Sequence, residues 1–172
     1  IRVLLQGAVD VGELFYLDLR AVRLGSVFGP WEREPAAREA MSIFLQIARL
    51  ALRREQVVIP RVLHRRDWVY SRDVAAGLVS LMQDDTPQFR LYNLTSGFDW
   101  TSGVPHWCEA LAAAIDGFTF RRAEAGERPN VRDSAVRDRA PMLVDRIRAD
   151  IGFVPLYGTE AAARDYAHWL LR

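Results

Sequence analysis

Within the stretch Arg61 to Met82 the chain changes from one kind of local order to another. Trp68-Val69-Tyr70 is a short β-prone apolar run, and beyond Ser71 and Asp73 the residues Val74, Ala75, Leu78, Val79 and Met82 recur at helical spacing. This pattern predicts a short strand feeding a helix that Ser71 or Asp73 caps. Arg66, at the mouth of that strand and beside a helix N-terminus, suits an anion such as a phosphate, because a guanidinium fork and helix amides both favour negative charge. The alternative is a surface ion pair between Arg66 and Asp67 with no further role.

The rest of the chain reads as short strands alternating with helices. Ile1 to Ala8 has the continuous apolar character of a buried parallel strand, and Asp18 to Phe28 alternates before Gly29-Pro30. Pro35 to Arg54 is helical in period, with Met41, Phe44, Leu45, Ala48 and Leu52 on one face. Gln56 to Val62 reads as a strand whose Pro60 suits a sheet edge. Further strands are expected at Arg90 to Leu94 and Phe118 to Arg122. Helices are expected from Val104 or Pro105 to Ile115, from Leu143 to Asp150 and from Thr159 to Leu171. Asn93 is expected to satisfy backbone groups at a strand end.

Composition narrows the functions. The 172 residues suffice for one domain with a real core, and half of them are hydrophobic. No stretch has the apolar length of a membrane span, and Ile1 to Ala8 has no small-residue cleavage site after it. The single cysteine, Cys108, excludes an internal disulfide, fits a reducing cytoplasmic setting and reads as a half-buried helix residue rather than a nucleophile. Three scattered histidines, His64, His106 and His168, do not make a metal site. With 23 basic and 22 acidic side chains the net charge is +1, and acids are interleaved through the arginine-rich segment 121–139, which disfavours nucleic acid as a partner. There is no lysine, so any mechanism needing a lysine amine is excluded.

Taken in order, Arg23-Leu-Gly-Ser-Val-Phe-Gly-Pro30, Arg66-Asp-Trp-Val-Tyr70 with Asp73-Val-Ala75, Leu91-Tyr-Asn-Leu-Thr-Ser-Gly97 and Asp150-Ile-Gly-Phe-Val-Pro155 resemble the C-terminal half of the extended short-chain dehydrogenase/reductases. These are the NAD-dependent nucleotide-sugar epimerases and dehydratases. The resemblance covers roughly residues 18–172. It implies an α/β fold with a Rossmann-like parallel sheet, incomplete in this chain, and a small substrate-binding α/β region. Residues 1–17 would be a remnant first strand and junction, and 18–172 the substrate-binding half. The glycines such a first strand needs at close spacing are reduced to Gly7 and Gly12, and the family's Tyr-x-x-x-Lys pair is absent; Tyr16 with Arg20 is a coincidental match.

What the resemblance implies can be put residue by residue. Arg66 would hold the diphosphate of a nucleotide sugar, and a second arginine from the loop 124–138 would close on it from the other side. Arg132 lies nearest that position on counting back from Asp150 to Pro155, with Arg128 next. The end of the 18–28 strand would pass beneath the nicotinamide of NAD or NADP at Leu24 and meet the sugar at Ser26, where an asparagine is usual. Val58 and Ile59 would contact the base. The expected function is an epimerase, dehydratase or oxidoreductase acting on a nucleotide sugar, or otherwise a module that binds a nucleotide diphosphate without chemistry. From these 172 residues alone no turnover is expected, and apolar sheet edges would favour pairing, for example as a homodimer.

Overall fold

A computed structural model of the chain describes residues 10, 14–16, 18–33, 41–85, 87–96, 103–133 and 137–172. The expected first strand, Gly7, Gly12 and the start of the expected helix at Pro35 lie outside them.

The described elements are β1 (Ala21–Leu24), β2 (Ser26–Phe28), α1 (Ile43–Leu52), β3 (Val57–Ile59), β4 (Trp68–Tyr70), α2 (Ser71–Gln83), β5 (Leu91–Leu94), α3 (Gly103–Ala114), β6 (Phe120–Arg122), α4 (Asp145–Ile151) and α5 (Thr159–Leu170). The strands form three parallel pairs, β1 with β5, β2 with β4 and β3 with β6. This is the α/β class expected, built on parallel pairing with helical crossovers.

The single strand expected over 18–28 is forked. Its first part, β1, pairs with β5 in the register Arg23 to Asn93, and its second part, β2, pairs with β4 in the register Val27 to Val69. The fork falls at Gly25, whose N–H bonds the Leu94 carbonyl at 3.4 Å, while the next N–H, of Ser26, bonds the Asp67 carbonyl at 2.6 Å. A Cβ on Gly25 would lie 2.7 Å from both the Asp67 carbonyl oxygen and the Thr95 Oγ1, closer than real side chains approach. Only glycine lets the two pairings meet there.

The larger core lies between β2, β3, β4 and helices α1, α3 and α5. Phe28, Phe44, Trp68, Tyr70, Trp107 and Tyr166 pack in it, with ring centroids 4.2 Å apart for Phe28 and Phe44 and 4.5 Å for Trp107 and Tyr166. The Trp107 indole N–H donates to the Phe44 carbonyl at 3.1 Å, so its one polar group is satisfied inside the core. A smaller core joins β5 to α2 and α4 through Val69, Val74, Leu81, Tyr92, Leu94 and Ile147.

Several local expectations change. The helix expected from Pro35 starts, in its described part, only at Ile43. Ser42 caps it by accepting from the Leu45 N–H at 3.1 Å, so Met41 precedes the helix, and Leu52 is exposed. In α2 neither Ser71 nor Asp73 caps the first turn. Asp73 is buried and accepts instead from the backbone N–H groups of Leu156 and Tyr157, at 2.8 and 3.0 Å. The buried face of α2 is Asp73, Val74, Gly77 and Leu81, while Leu78, Val79 and Met82 face outward. Gly77 decides this rotation, because it lets the helix close on Leu94, whose side chain a Cβ there would meet at 2.5 Å. Cys108 is fully rather than half buried, and burial pushes its thiol up to about 12, which suits packing.

Replacing Gly25 by alanine is expected to lower the unfolding free energy by about 1–3 kcal/mol, the range for overpacking a tight site. Urea denaturation checks it, and an unchanged midpoint would mean the fork has slack that the close approach denies.

Candidate functional site

The fork at Gly25 opens a cleft of about 220 Å³ lined by Leu24, Gly25, Ser26, Arg66, Asp67, Arg139, Ala140 and Met142. Three segments make it: the β1–β2 junction, the residues leading into β4, and the stretch ahead of α4. The second and third run side by side. The Arg139 N–H bonds the Arg65 carbonyl at 2.9 Å, and the Arg65 N–H bonds Asp138 Oδ1 at 2.8 Å. The His64 ring lies 3.4 Å from the same carboxylate, so His64 is not isolated. The Arg65 N–H, foremost, together with His64 holds the Asp138 carboxyl below its usual range.

Asp67 joins all three segments. Its carbonyl takes the Ser26 N–H, one carboxylate oxygen takes the Thr95 hydroxyl from the end of β5, and the other takes the Met142 N–H at 3.0 Å. Burial raises its carboxyl above the usual 3.8, against the pull of those two donors. An ion pair between Arg66 and Asp67 is therefore not what the structure shows. The carboxylate facing Arg66 is Asp133, with Nη1 to Oδ1 at 4.0 Å, and the guanidinium carbon stands 5.3 Å from the centre of the Trp68 ring. The side chain of Arg66 is 20% exposed, held by its surroundings yet open to the cleft.

Of the residues expected from sequence, Leu24, Ser26 and Arg66 come together here. Arg132 does not line the cleft: its backbone is clasped by the Gln46 side chain, donating to Oε1 at 2.9 Å and accepting from Nε2 at 3.0 Å. Arg128 lies on the exposed turn beyond β6. The second arginine on the cleft is Arg139, which counting along the loop missed because the segment's length does not reveal where it turns back against Arg65. Val58 and Ile59 do not line this cleft. They are 9% and 1% exposed, the Val58 N–H and carbonyl both bond Asn130, and the Ile59 carbonyl takes the Ala123 N–H.

Three tyrosine hydroxyls, of Tyr70, Tyr92 and Tyr166, are shifted away from the range of a base. Tyr70, inside the core, donates to Asp165 at 2.7 Å, and burial, first, then that carboxylate push it well above the usual 10. Tyr92 donates to Asp150 and is pushed up to about 12, chiefly by burial, and Tyr166 is also raised by burial. Arg20 bonds Asp18 and the Leu81 carbonyl, which leaves it no part in activating Tyr16. Among the described residues no helix is long and apolar enough to cross a membrane.

The sequence model of the NAD dependent epimerase/dehydratase family matches residues 5–95, more than half of the chain. The chain belongs to that family. Its fold resembles UDP-N-acetylglucosamine 4-epimerase from Bacillus cereus, with a TM-score of 0.69 and 15% identity over 95% of this chain and 52% of that one. It also resembles RMD from Pseudomonas aeruginosa complexed with NADPH, with a TM-score of 0.66 and 12% identity over 98% of this chain and 53% of that one. A third is ADP-L-glycero-D-manno-heptose-6-epimerase from Helicobacter pylori, with a TM-score of 0.65 and 20% identity over 89% of this chain and 45% of that one. The chain thus spans about half the length of the structures it matches. No curated protein matches the sequence.

Two outcomes are expected at Asp67. Its carboxyl should titrate above 3.8 when followed by carbon-13 NMR; a midpoint at or below 3.8 would show that the donors outweigh burial. Because the native state then takes up the proton before the unfolded chain does, the Asp67 contribution to stability is fully present below pH 3.8 and is lost as pH rises through the native value. Asp67→Ala, which leaves the Met142 N–H and the Thr95 hydroxyl without their acceptor, should lower the unfolding free energy at neutral pH by about 1–3 kcal/mol. Stability equal to that of the parent would remove Asp67 from its joining role.

Proposed function

We propose that the cleft at the Gly25 fork holds the diphosphate of a nucleotide sugar, and that this chain supplies the substrate-binding side of an NAD(P)-dependent epimerase, dehydratase or related oxidoreductase. The observation that carries the reading is that Arg66 and Arg139, from separate segments, line one small cleft with Ser26. Two guanidinium groups match the roughly two charges of a diphosphate, and each can give charge-assisted hydrogen bonds. Ser26 offers one hydroxyl to the sugar. The fold neighbours lend support, since one is described with UDP-glucuronic acid and NAD and another with UDP-glucose.

A nicotinamide cofactor would accept and return a hydride, and Leu24, 42% exposed beside Ser26, is an apolar residue of the cleft that would face its ring. Leu24 fits that part; Gly7 and Gly12, the two glycines after the expected first strand's apolar run, lie outside the described residues. This chain's own tasks are then to orient the diphosphate and to shape the sugar's surroundings. Binding without chemistry is the second reading. It is favoured by the absence of lysine and by the upward-shifted hydroxyls of Tyr70, Tyr92 and Tyr166.

Calorimetric titration with UDP tests the cleft. Arg66→Ala and Arg139→Ala should each weaken binding about 10-fold or more, the loss of about 1.5–3 kcal/mol expected for a charge-assisted hydrogen bond. Arg132→Ala should change it by less than about 2-fold, since it removes no such bond. Unchanged affinity in both cleft variants would overturn the assignment, and a large loss in Arg132→Ala alone would restore that residue in place of Arg139. Conversion of a UDP-sugar to a new product in the presence of NAD, followed by proton NMR, would separate the enzyme from the binding module.

A further inference from the structure

Beside Arg66, but outside the lining of the cleft, stands the carboxylate of Asp133. Its Oδ1 lies 4.0 Å from Arg66 Nη1, and its Oδ2 accepts the His64 N–H at 3.2 Å. The Asp133 side chain is 9% exposed, against 62% for Asp138 further along the same segment, so water and salt screen its charge little. Because Asp133 does not line the cleft, that charge acts on a bound anion across the Arg66 guanidinium and not by contact. Asp67 is a carboxylate of the cleft wall with a structural task, the joining of three segments. Asp133 adds a second negative charge next to one of the two arginines that an anion would meet.

The effect of such a charge depends on the charge of the ligand. The diphosphate of a nucleotide sugar is esterified at both ends and carries about two charges. Free UDP ends in a phosphate with a second pKa of about 6, so it carries about three at about pH 8. Attraction to Arg66 and Arg139 grows with each ligand charge, and two unopposed guanidinium groups would favour the free nucleotide over the sugar ester. Repulsion from a fixed carboxylate grows in the same proportion and costs the more highly charged ligand more.

On the reading of the cleft as a diphosphate site, on which this inference rests, we propose that Asp133 is a specificity-determining residue. Its carboxylate offsets part of the Arg66 charge and so selects the doubly esterified diphosphate of a nucleotide sugar against free nucleoside diphosphate.

Calorimetry of the 172-residue chain with UDP-glucose and with UDP, at about pH 8 and without divalent metal ions, tests it. Asp133→Asn removes the charge, while its side-chain carbonyl can still accept from the His64 N–H. This variant should bind both ligands more tightly and UDP the more so, raising the ratio of UDP to UDP-glucose affinity about 3-fold or more. A merely structural role would instead weaken both ligands alike and leave the ratio where it was. Asp133→Glu, which keeps the charge, should hold the ratio within about 2-fold of the parent's even if both affinities fall. In the unaltered chain UDP should bind no more tightly than UDP-glucose. An unchanged ratio in Asp133→Asn, or tighter binding of UDP by the unaltered chain, would overturn the role of Asp133; if Arg66→Ala still weakens binding, the diphosphate reading stands. No binding of either ligand to the unaltered chain would overturn both.

Discussion

The structure depends on how Asp67 is held. One backbone carbonyl and one carboxylate tie the β1–β2 junction, the end of β5 and the segment before α4 to the residue that precedes β4. None of these segments is a long element that could set its own place. β2 and β4 are three residues each, too short to be stable outside a packed context, and the 137–142 segment has no regular structure. A half-buried carboxylate whose oxygens are both bonded gives them a common anchor. Its raised pKa shows that burial costs more than the donors return, so the arrangement is kept at some expense in stability.

Placement of charge follows from that anchor. Arg66 stands beside Asp133 and over the face of Trp68, while the Asp67 carboxylate bonds Thr95 and Met142. The same bond to Met142 draws the loop after β6 back across the mouth of β4 and leaves Arg139 at the cleft. A second buried carboxylate, Asp73, does similar work one turn further on, fixing the backbone at Leu156 and Tyr157 ahead of α5. Tyr70 and Arg72 both bond Asp165, which locks α5 against the junction of β4 and α2. The hydrogen bonds of Asp67 to Met142, of Asp73 to Leu156 and Tyr157, and of Asp165 to Tyr70 and Arg72 join residues 75 to 95 positions apart around the strand-to-helix step of β4 and α2.

Much of this was legible beforehand. The β4 and α2 boundaries follow from the switch between an apolar run and helical spacing, because burial on one side imposes the period wherever an element meets a core. Leu24, Ser26 and Arg66, singled out by their place in ordered motifs, line one cleft, and Asn93 does satisfy a backbone carbonyl as expected. What could not be read were distances along irregular chain. The 124–142 stretch turns at Gly126, at a positive φ, and again against Arg65, and nothing in its composition says which of Arg128, Arg132, Arg137 and Arg139 arrives at the cleft. The exposed Leu78, Val79 and Met82 were misplaced for a related reason: two sets of positions on α2 have helical spacing, and only the approach of Leu94 to Gly77 selects between them.

By itself, then, the sequence determined the α/β alternation, the family, the lack of any lysine chemistry and the arginine at the mouth of β4, since these rest on residue identity and local period. The tertiary structure alone decided the fork at Gly25, the partner of Arg66, the burial of Val58 and Ile59, and the arrival of Arg139. Those depend on which distant groups meet, and a hydrogen bond from Met142 to Asp67 carries no local signature in either residue.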